Sequence, residues 1–233
     1  MIIPLVSSVP HFLRNSRALL TIPCLALVLA CSVSAPRWQQ ATNVECLVWN
    51  PQPDPADTVT WTGPCVAGKA HGAGTEVFRY RDHGTLKEQR YVGTMTAGKL
   101  QGHGTLYFDN GDQFEGEFSD GSRVHGLYTR PNGDRYEGPY KNDQPNGFGT
   151  LLFNNGARYV GDFVDGIFQG NGTSTDPAGS RYVGQFHDGL PNGHGTLQLS
   201  SGQVFSGQWK DGCLIGGNEV AAVGVTKGKC GNK

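Results

Sequence analysis

The sequence predicts an all-β protein built as an elongated single-layer antiparallel sheet of stacked β-hairpins. The first observation is a repeat, since an aromatic residue recurs at steps of 23, 22, 23, 23 and 23 residues. The second is a pair of tight-turn signals in each repeat. A fixed period of this length is typical of arrays in which each unit stacks on the next. The recurring aromatic residues are Tyr91, Phe114, Tyr136, Tyr159, Tyr182 and Phe205.

Turn residues divide each repeat into two strands. Asn-Gly and Asp-Gly pairs adopt the positive φ of tight hairpin turns at little steric cost. Such pairs begin at Asn110, Asp120, Asn132, Asn155, Asp165, Asp188 and Asp211. Two turns in each repeat therefore predict two strands per repeat.

One face of this sheet is predicted to carry aromatic and glycine residues. Side chains alternate along a strand, so Tyr159, Gly161 and Phe163 share a face. We expect each opening ring to lie over a glycine backbone, because glycine has no side chain in the way. One repeat buries too little apolar surface to offset the entropy of ordering its residues, so the repeats must stack.

The repeats share an aromatic residue, a glycine, a second aromatic residue, a turn and a GxGT motif. This pattern is carried by RYVGDFVDGIFQGNGTSTDPAGS, RYVGQFHDGLPNGHGTLQLSSGQ and the segments before them. These segments resemble the MORN repeat (membrane occupation and recognition nexus), and the resemblance covers residues 59 to 212. It implies a stacked-hairpin interaction module. Lipid association and protein scaffolding have both been proposed for the family.

Three places depart from the repeat pattern. The unit opened by Trp61 needs 30 residues to reach Tyr91, which predicts a longer hairpin that turns at residues 82–84 and protrudes. The second repeat, at HGLYT, is expected to lack the second glycine of the GxGT motif. Pro139 removes a main-chain donor inside a strand, which predicts a local edge or bulge.

The N-terminal residues are typical of an export signal. Arg14 and Arg17 precede an apolar run over residues 18–30, which is shorter than a membrane-spanning helix. The run ends in VLAC, which resembles the lipobox of bacterial lipoproteins and implies lipidation of Cys31. Ser32 after that cysteine is the usual state for outer-membrane sorting in that family. A cut near residue 35 and an uncleaved apolar anchor are the alternatives.

The chain therefore divides into four predicted segments. These are a lipoprotein signal peptide (1–30), a tether with an N-terminal cap (31–58), the repeat array (59–212) and a C-terminal cap (213–233).

Four cysteines remain after the signal and the lipidated residue are set aside. An even number in an oxidising compartment indicates two disulfides, with three pairings open. Cys46 with Cys65, and Cys213 with Cys230, are favoured because the ends of a rod-like array lie far apart. A zinc site is the alternative, but the CxxC and CxxH spacings of such sites are missing.

Charge and motifs give little sign of chemistry. The formal net charge of −1 offers no long-range attraction for nucleic acid. We find no GxSxG motif and no P-loop, so we expect no enzyme, no cofactor and no metal. Equivalent positions recur about 9.6 Å apart along the sheet, too far for shared metal coordination. The histidines that precede a glycine are therefore interpreted as turn residues, and they are His71, His103, His125 and His194.

The leading functional hypothesis is a non-enzymatic envelope lipoprotein whose repeat sheet is a scaffold or adaptor for another envelope protein. The alternative is a glycan- or lipid-binding module that uses the groove of the six recurring aromatic residues. Exposed Tyr and Trp side chains on one face would favour the alternative. A protruding hairpin and uncapped strand edges would favour a protein partner.

Overall fold

The computed structural model describes residues 37–51, 54–216 and 220–230. The predicted signal peptide and Cys31 lie outside these residues. The described chain divides into two compact units, residues 37–128 and 129–230. Among the described residues, no helix has the length and apolar character needed to cross a membrane.

The first unit contains two sheets. Its ten strands are β1 (Arg37–Gln40), β2 (Leu47–Asn50), β3 (Thr58–Trp61), β4 (Cys65–Val66), β5 (Lys69–Ala70), β6 (Gly72–Asp82), β7 (Thr85–Thr96), β8 (Lys99–Tyr107), β9 (Gln113–Ser119) and β10 (Ser122–Thr129). The larger sheet has the order β3-β6-β7-β8-β9-β10, and the smaller one has the order β1-β2-β5-β4. The larger sheet is made of antiparallel hairpins between consecutive strands, with β3 added at its edge.

The second unit continues the same pattern. Its elements are β11 (Arg135–Lys141), β12 (Gln144–Pro145), β13 (Gly147–Leu152), β14 (Arg158–Val164), β15 (Ile167–Thr175), β16 (Arg181–His187), β17 (Leu190–Gln198), β18 (Val204–Lys210), β19 (Cys213–Ile215) and the short helix α1 (Lys227–Cys230). Neighbouring strands pair antiparallel in chain order from β13 to β19, and β11 pairs with both β12 and β13. The predicted all-β fold of stacked antiparallel hairpins is confirmed.

The opening rings from Trp61 to Tyr182 lie across pairs of glycines, as expected. Gly207 is the exception, since a Cβ there would contact Leu214 and not the Phe205 ring. Gly161 and Gly172 face each other across β14 and β15. A Cβ atom at either position would lie 2.6 Å from the Tyr159 hydroxyl. The glycines therefore make room for the ring, which packs directly on the backbone. The same arrangement places Tyr91 over Gly93 and Gly104, Tyr136 over Gly138 and Gly149, and Tyr182 over Gly184 and Gly195.

A residue from the same hairpin covers the other side of the ring. Phe168, just after the Asp165-Gly166 turn, stacks on Tyr159 with ring centroids 3.7 Å apart and planes 7° apart. The turn is also tied to the preceding repeat, because the Gly166 amide donates to the Pro145 carbonyl at 2.9 Å. The ring stack thus holds one hairpin together, and the main-chain hydrogen bond joins neighbouring repeats in addition to the sheet ladder.

The second repeat corrects one prediction. Gly126 lies under the Phe114 ring, where its Cβ would be 2.7 Å from that ring, so it is the second glycine of the motif. The expectation that this glycine is lacking is wrong. The missing residue is the preceding glycine, which has φ of 66° at Gly102 and 59° at Gly170. Because that left-handed position is deleted, the repeat has 22 residues instead of 23.

The strand that contains Pro139 is interrupted, as predicted. β13 pairs with β11 only at residues 135–137 of β11, and pairing resumes with β12 at Tyr140. A proline has no amide hydrogen to donate, so the ladder breaks there.

Both ends carry small caps. The predicted tether and cap region contains β1 and β2, which form a sheet with β4 and β5. At the other end, the Leu214 amide donates to the Ala221 carbonyl at 3.1 Å, and Ala221 and Val223 are buried. One disulfide joins Cys46 to Cys65 on β4, and the other joins Cys213 on β19 to Cys230 on α1.

Candidate interaction site

The six recurring aromatic residues are structural. Their exposed fractions lie between 0% and 6%, so no ring offers a face to a ligand. The Tyr159 hydroxyl donates to the Asp162 carbonyl at 3.0 Å, and Tyr91 and Tyr182 make the same bond three residues ahead. Burial raises the pKa of Tyr91 and of Tyr182 to about 12. The six recurring aromatic residues therefore offer no exposed surface for the ligand binding that the sequence left open.

The first hairpin of the array protrudes, as predicted. β6 and β7 pair along their whole length to Asp82 and Thr85, and the turn between them is His83-Gly84. β3 pairs with β6 only as far as Arg79, and β8 pairs with β7 only from Arg90 onwards. Residues 80–89 therefore extend beyond the strands on either side.

Partly exposed apolar side chains lie at the base of this hairpin. Glu76, Phe78 and Tyr80 alternate along β6 and share one face of the sheet. Phe78 and Tyr80 stack with ring centroids 5.4 Å apart. Leu106 and Phe108 lie along and just after β8, and all five side chains are partly exposed. We call these five residues the hairpin patch.

The patch position of Glu76 is buried in two later repeats. Glu76 follows Gly74-Thr75 and therefore stands where Leu151 and Leu197 follow the same Gly-Thr pair. Those two leucines are 2% and 1% exposed. The first repeat thus has a carboxyl group where the pattern has an apolar side chain.

Glu76 has unusual surroundings. It lies opposite Trp61 on β3 and opposite Tyr91 on β7, and both of these rings are buried. Directly opposed residues have Cβ atoms about 5 Å apart on the same face. Burial raises the pKa of Glu76 to about 7. No side chain in the described residues forms a hydrogen bond or ion pair with this carboxyl group.

The other charges of the hairpin have partners. Arg79 pairs with Glu88 at 2.8 Å, and Lys87 pairs with Asp109. The hydrogen bond to Asp109 raises the pKa of Lys87. The Gln89 amide donates to the Tyr80 hydroxyl at 3.3 Å. The charged residues of the hairpin near its turn therefore have partners, whereas the one carboxyl group of the hairpin patch does not.

A second exposed apolar group lies in the second unit. Phe148 is 65% exposed, the most of any large apolar side chain in the described residues. It stands on β13 between two glycines, at the position of His103 and His194 in other repeats. Leu152, on the same face of β13, is 39% exposed. Leu152 stands directly opposite Arg135 on β11 and Arg158 on β14.

The cysteines and histidines have structural surroundings. Cys46 is bonded to Cys65 and Cys213 to Cys230, with Cα atoms 5.7 and 5.4 Å apart, in the pairing that the sequence favoured. His194 contacts the Gln208 amide at 2.7 Å. Within the described residues, no three His, Cys, Asp or Glu side chains are placed to hold a metal ion.

The comparisons with known proteins agree with the geometry. The family model of the MORN repeat matches five consecutive segments, residues 91–113, 114–135, 136–158, 159–181 and 182–204. This is a MORN repeat protein. No curated protein matches the chain.

The matched segments of the MORN repeat protein begin at Tyr91. Glu76, Phe78 and Tyr80 therefore lie before the first matched repeat, on the hairpin where the pattern is stretched. Sequence reasoning identified this hairpin but missed Glu76. The signal was available, because GTEVF aligns with GTLYF of the next repeat and places the glutamate on the leucine.

Proposed function

We propose that this MORN repeat protein is a non-enzymatic scaffold or adaptor of the bacterial cell envelope, held by a lipid on Cys31. Its hairpin patch is the surface that contacts an envelope protein. The observation that carries the proposal is the patch itself, where four apolar side chains stay partly exposed beside an unpaired carboxyl group. Partly exposed apolar groups rimmed by polar residues are typical of protein interaction sites.

The strand edges of the hairpin support a protein partner. Residues 85–89 of β7 pair with β6 and lie beyond the end of β8. A strand edge of this kind accepts an extended segment of another protein through main-chain hydrogen bonds. Neighbouring side-chain pockets then supply specificity, and the hairpin patch lies directly beside the edge.

The anchor rests on the sequence. The export signal and VLAC support lipidation of Cys31, and Ser32 supports placement at the outer membrane. Cys31 precedes the first residue of β1 by six positions. Six residues span at most about 20 Å, so a lipid at Cys31 would keep the N-terminal cap close to the membrane surface. The glycan- or lipid-binding alternative receives no support from the buried rings.

Site-specific photo-cross-linking in intact cells tests this function. A photoreactive residue is placed at Leu86, on the hairpin and 61% exposed, or at Phe148, 65% exposed, as the matched control. We expect one envelope protein to be recovered from the Leu86 position and not from Phe148. Recovery of glycan or lipid without protein at Leu86 would contradict the scaffold. Cys31→Ser is expected to release the protein from the membrane fraction.

A further inference from the structure

We infer that the hairpin patch binds a basic side chain, a lysine or arginine of the partner protein, through the Glu76 carboxylate. This inference rests on the proposed scaffold function and names the chemistry of its partner.

The position of Glu76 is costly without a counter-charge. Glu76 lies between two buried aromatic residues, Trp61 and Tyr91, and is itself only partly exposed to water. Removing an ionised carboxylate from water is unfavourable unless a charge or hydrogen-bond donors compensate. A leucine at this position would complete the repeat pattern at no such cost. The glutamate therefore fits a site that is completed by another molecule.

The hairpin itself supplies no counter-charge. It contains three acidic residues, of which Glu88 is paired with Arg79 and Asp82 contacts His83 at 2.9 Å. Glu76 has no hydrogen-bond or ionic partner among the described residues. The nearest basic residue on the same face, Lys87, is already paired with Asp109. A cation that reaches Glu76 must come from outside the hairpin.

The rings of the patch suit a basic group. Cations are attracted to the faces of aromatic rings within about 6 Å. The same unit already contains this arrangement, since Lys69 lies 3.9 Å from the Trp38 ring and Arg90 lies 4.0 Å from the Tyr107 ring. Phe78 and Tyr80 stand beside Glu76 on β6 and remain partly exposed. An incoming basic side chain would contact both a carboxylate and aromatic faces.

The pH dependence follows from the same groups. Glu76 has a pKa of about 7, so it is mostly neutral at about pH 5.5 and mostly ionised at about pH 8. The other titratable groups on this face are Tyr91, Tyr80, Lys87, Asp82 and Asp109, and burial or pairing raises the pKa of the first three. β3 contributes only Val59 and Trp61 to this face. Binding of a basic group should therefore strengthen as Glu76 loses its proton.

A titration of the full chain carrying Cys31→Ser with an acetylated trilysine amide tests the site. We expect saturable NMR shifts of the Trp61 indole and of Phe78 at about pH 8, weakened about tenfold at about pH 5.5. Glu76→Gln should weaken binding about tenfold, while Glu88→Gln leaves it unchanged. An acetylated trinorleucine amide should give no shifts of this kind. Equal binding by Glu76→Gln, or shifts spread over other acidic residues, would overturn the inference.

The failure of this inference differs from failure of the scaffold. If Leu86 cross-links an envelope protein while Glu76→Gln changes neither its recovery nor trilysine binding, the scaffold stands and the basic site is lost. If trilysine binds at Glu76 and no protein is recovered in cells, the site stands and the scaffold is lost. The structure of each Glu76 variant is checked by the Tyr91 and Trp61 resonances, which report the packing beneath the patch.

Discussion

The repeats opened by Trp61 and by Tyr159 share one packing arrangement but differ at the residue that follows it. In both, the ring lies across two glycines, Gly63 and Gly74 in one and Gly161 and Gly172 in the other. The residue after the Gly-Thr pair is Glu76 in the first repeat and the buried Ser174 in the other. The ring-on-glycine contact is therefore the constant part of the fold, and the position after the Gly-Thr pair is where repeats diverge.

The two repeats also differ in length. The hairpin that joins the first repeat to the next has strands of 11 and 12 residues, against 9 and 7 residues for the equivalent strands β15 and β16. The extra length lies beyond the neighbouring strands and leaves apolar side chains partly exposed. The comparison shows that a stacked repeat gains a surface by extending one hairpin, while its glycine-paired base stays unchanged.

The largest expected effect comes from filling the space under a ring. Gly172→Val should lower the free energy of unfolding by more than about 3 kcal/mol, since its side chain would overlap the Tyr159 ring. Gly74→Val should do the same beneath Trp61, where a Cβ would lie 2.5 Å from the ring. Gly228→Ala is the control, because open space surrounds that position. Chemical denaturation measures the stability of all three variants. Unchanged stability in Gly172→Val would show that the ring does not depend on the glycine beneath it.

A smaller loss is expected when the cover of a ring is removed. Phe168→Ala should cost about 3 kcal/mol, because Phe168 is 4% exposed and stacks on Tyr159. Ile167→Ala, at the neighbouring 38% exposed position, should change stability by less than about 0.5 kcal/mol. Denaturation curves compare the two variants. Similar losses in both would mean that the stacked cover adds nothing to the repeat.

The third effect separates the first repeat from the others by pH. Burial raises the pKa of Glu76 from 4.5 to about 7, so the folded state holds this proton more tightly than the unfolded state. The resulting stability is present below about pH 4.5 and is lost as pH rises through about 7. Glu76→Gln should remove this loss and gain about 1–3 kcal/mol at about pH 8 relative to about pH 5.

Glu115→Gln, at an exposed strand position, is the matched control for that measurement. Its stability should follow the wild-type protein across the same pH range. A parallel pH profile for wild type and Glu76→Gln would show that the Glu76 carboxyl group is as well solvated in the folded chain as in the unfolded one.

The smallest effect on stability should accompany the largest effect on recognition. Tyr80→Ser should change the free energy of unfolding by less than about 1 kcal/mol, because Tyr80 lies just beyond the end of β3 and is partly exposed. It should nevertheless reduce recovery of the cross-linked partner from Leu86. Phe148→Ser should leave that recovery intact. A loss of partner in both variants would assign recognition to a broader surface than the hairpin.

The sequence predicted what depends on local chemistry. The period, the two strands per repeat, the ring over the glycine and the protruding hairpin all follow from turn residues and from side chains that alternate between two faces. The wrong glycine was predicted to be missing from the second repeat, because HGLYT alone does not show that Gly126 is the residue under the Phe114 ring. That assignment required the strand partner.

The array of stacked hairpins and the identity of the rings within it therefore follow from local sequence patterns. Which apolar side chains remain exposed, and which charge has no partner, depends on how the strands pack together. The reason is physical: exposure and pairing are set by every neighbour together, and the position of Phe168, nine residues after the ring, holds Ala70 in the first repeat. Nothing in the segment GTEVF distinguishes Glu76 from other surface glutamates. It becomes a candidate contact because Trp61 and Tyr91 lie on either side of it in the sheet.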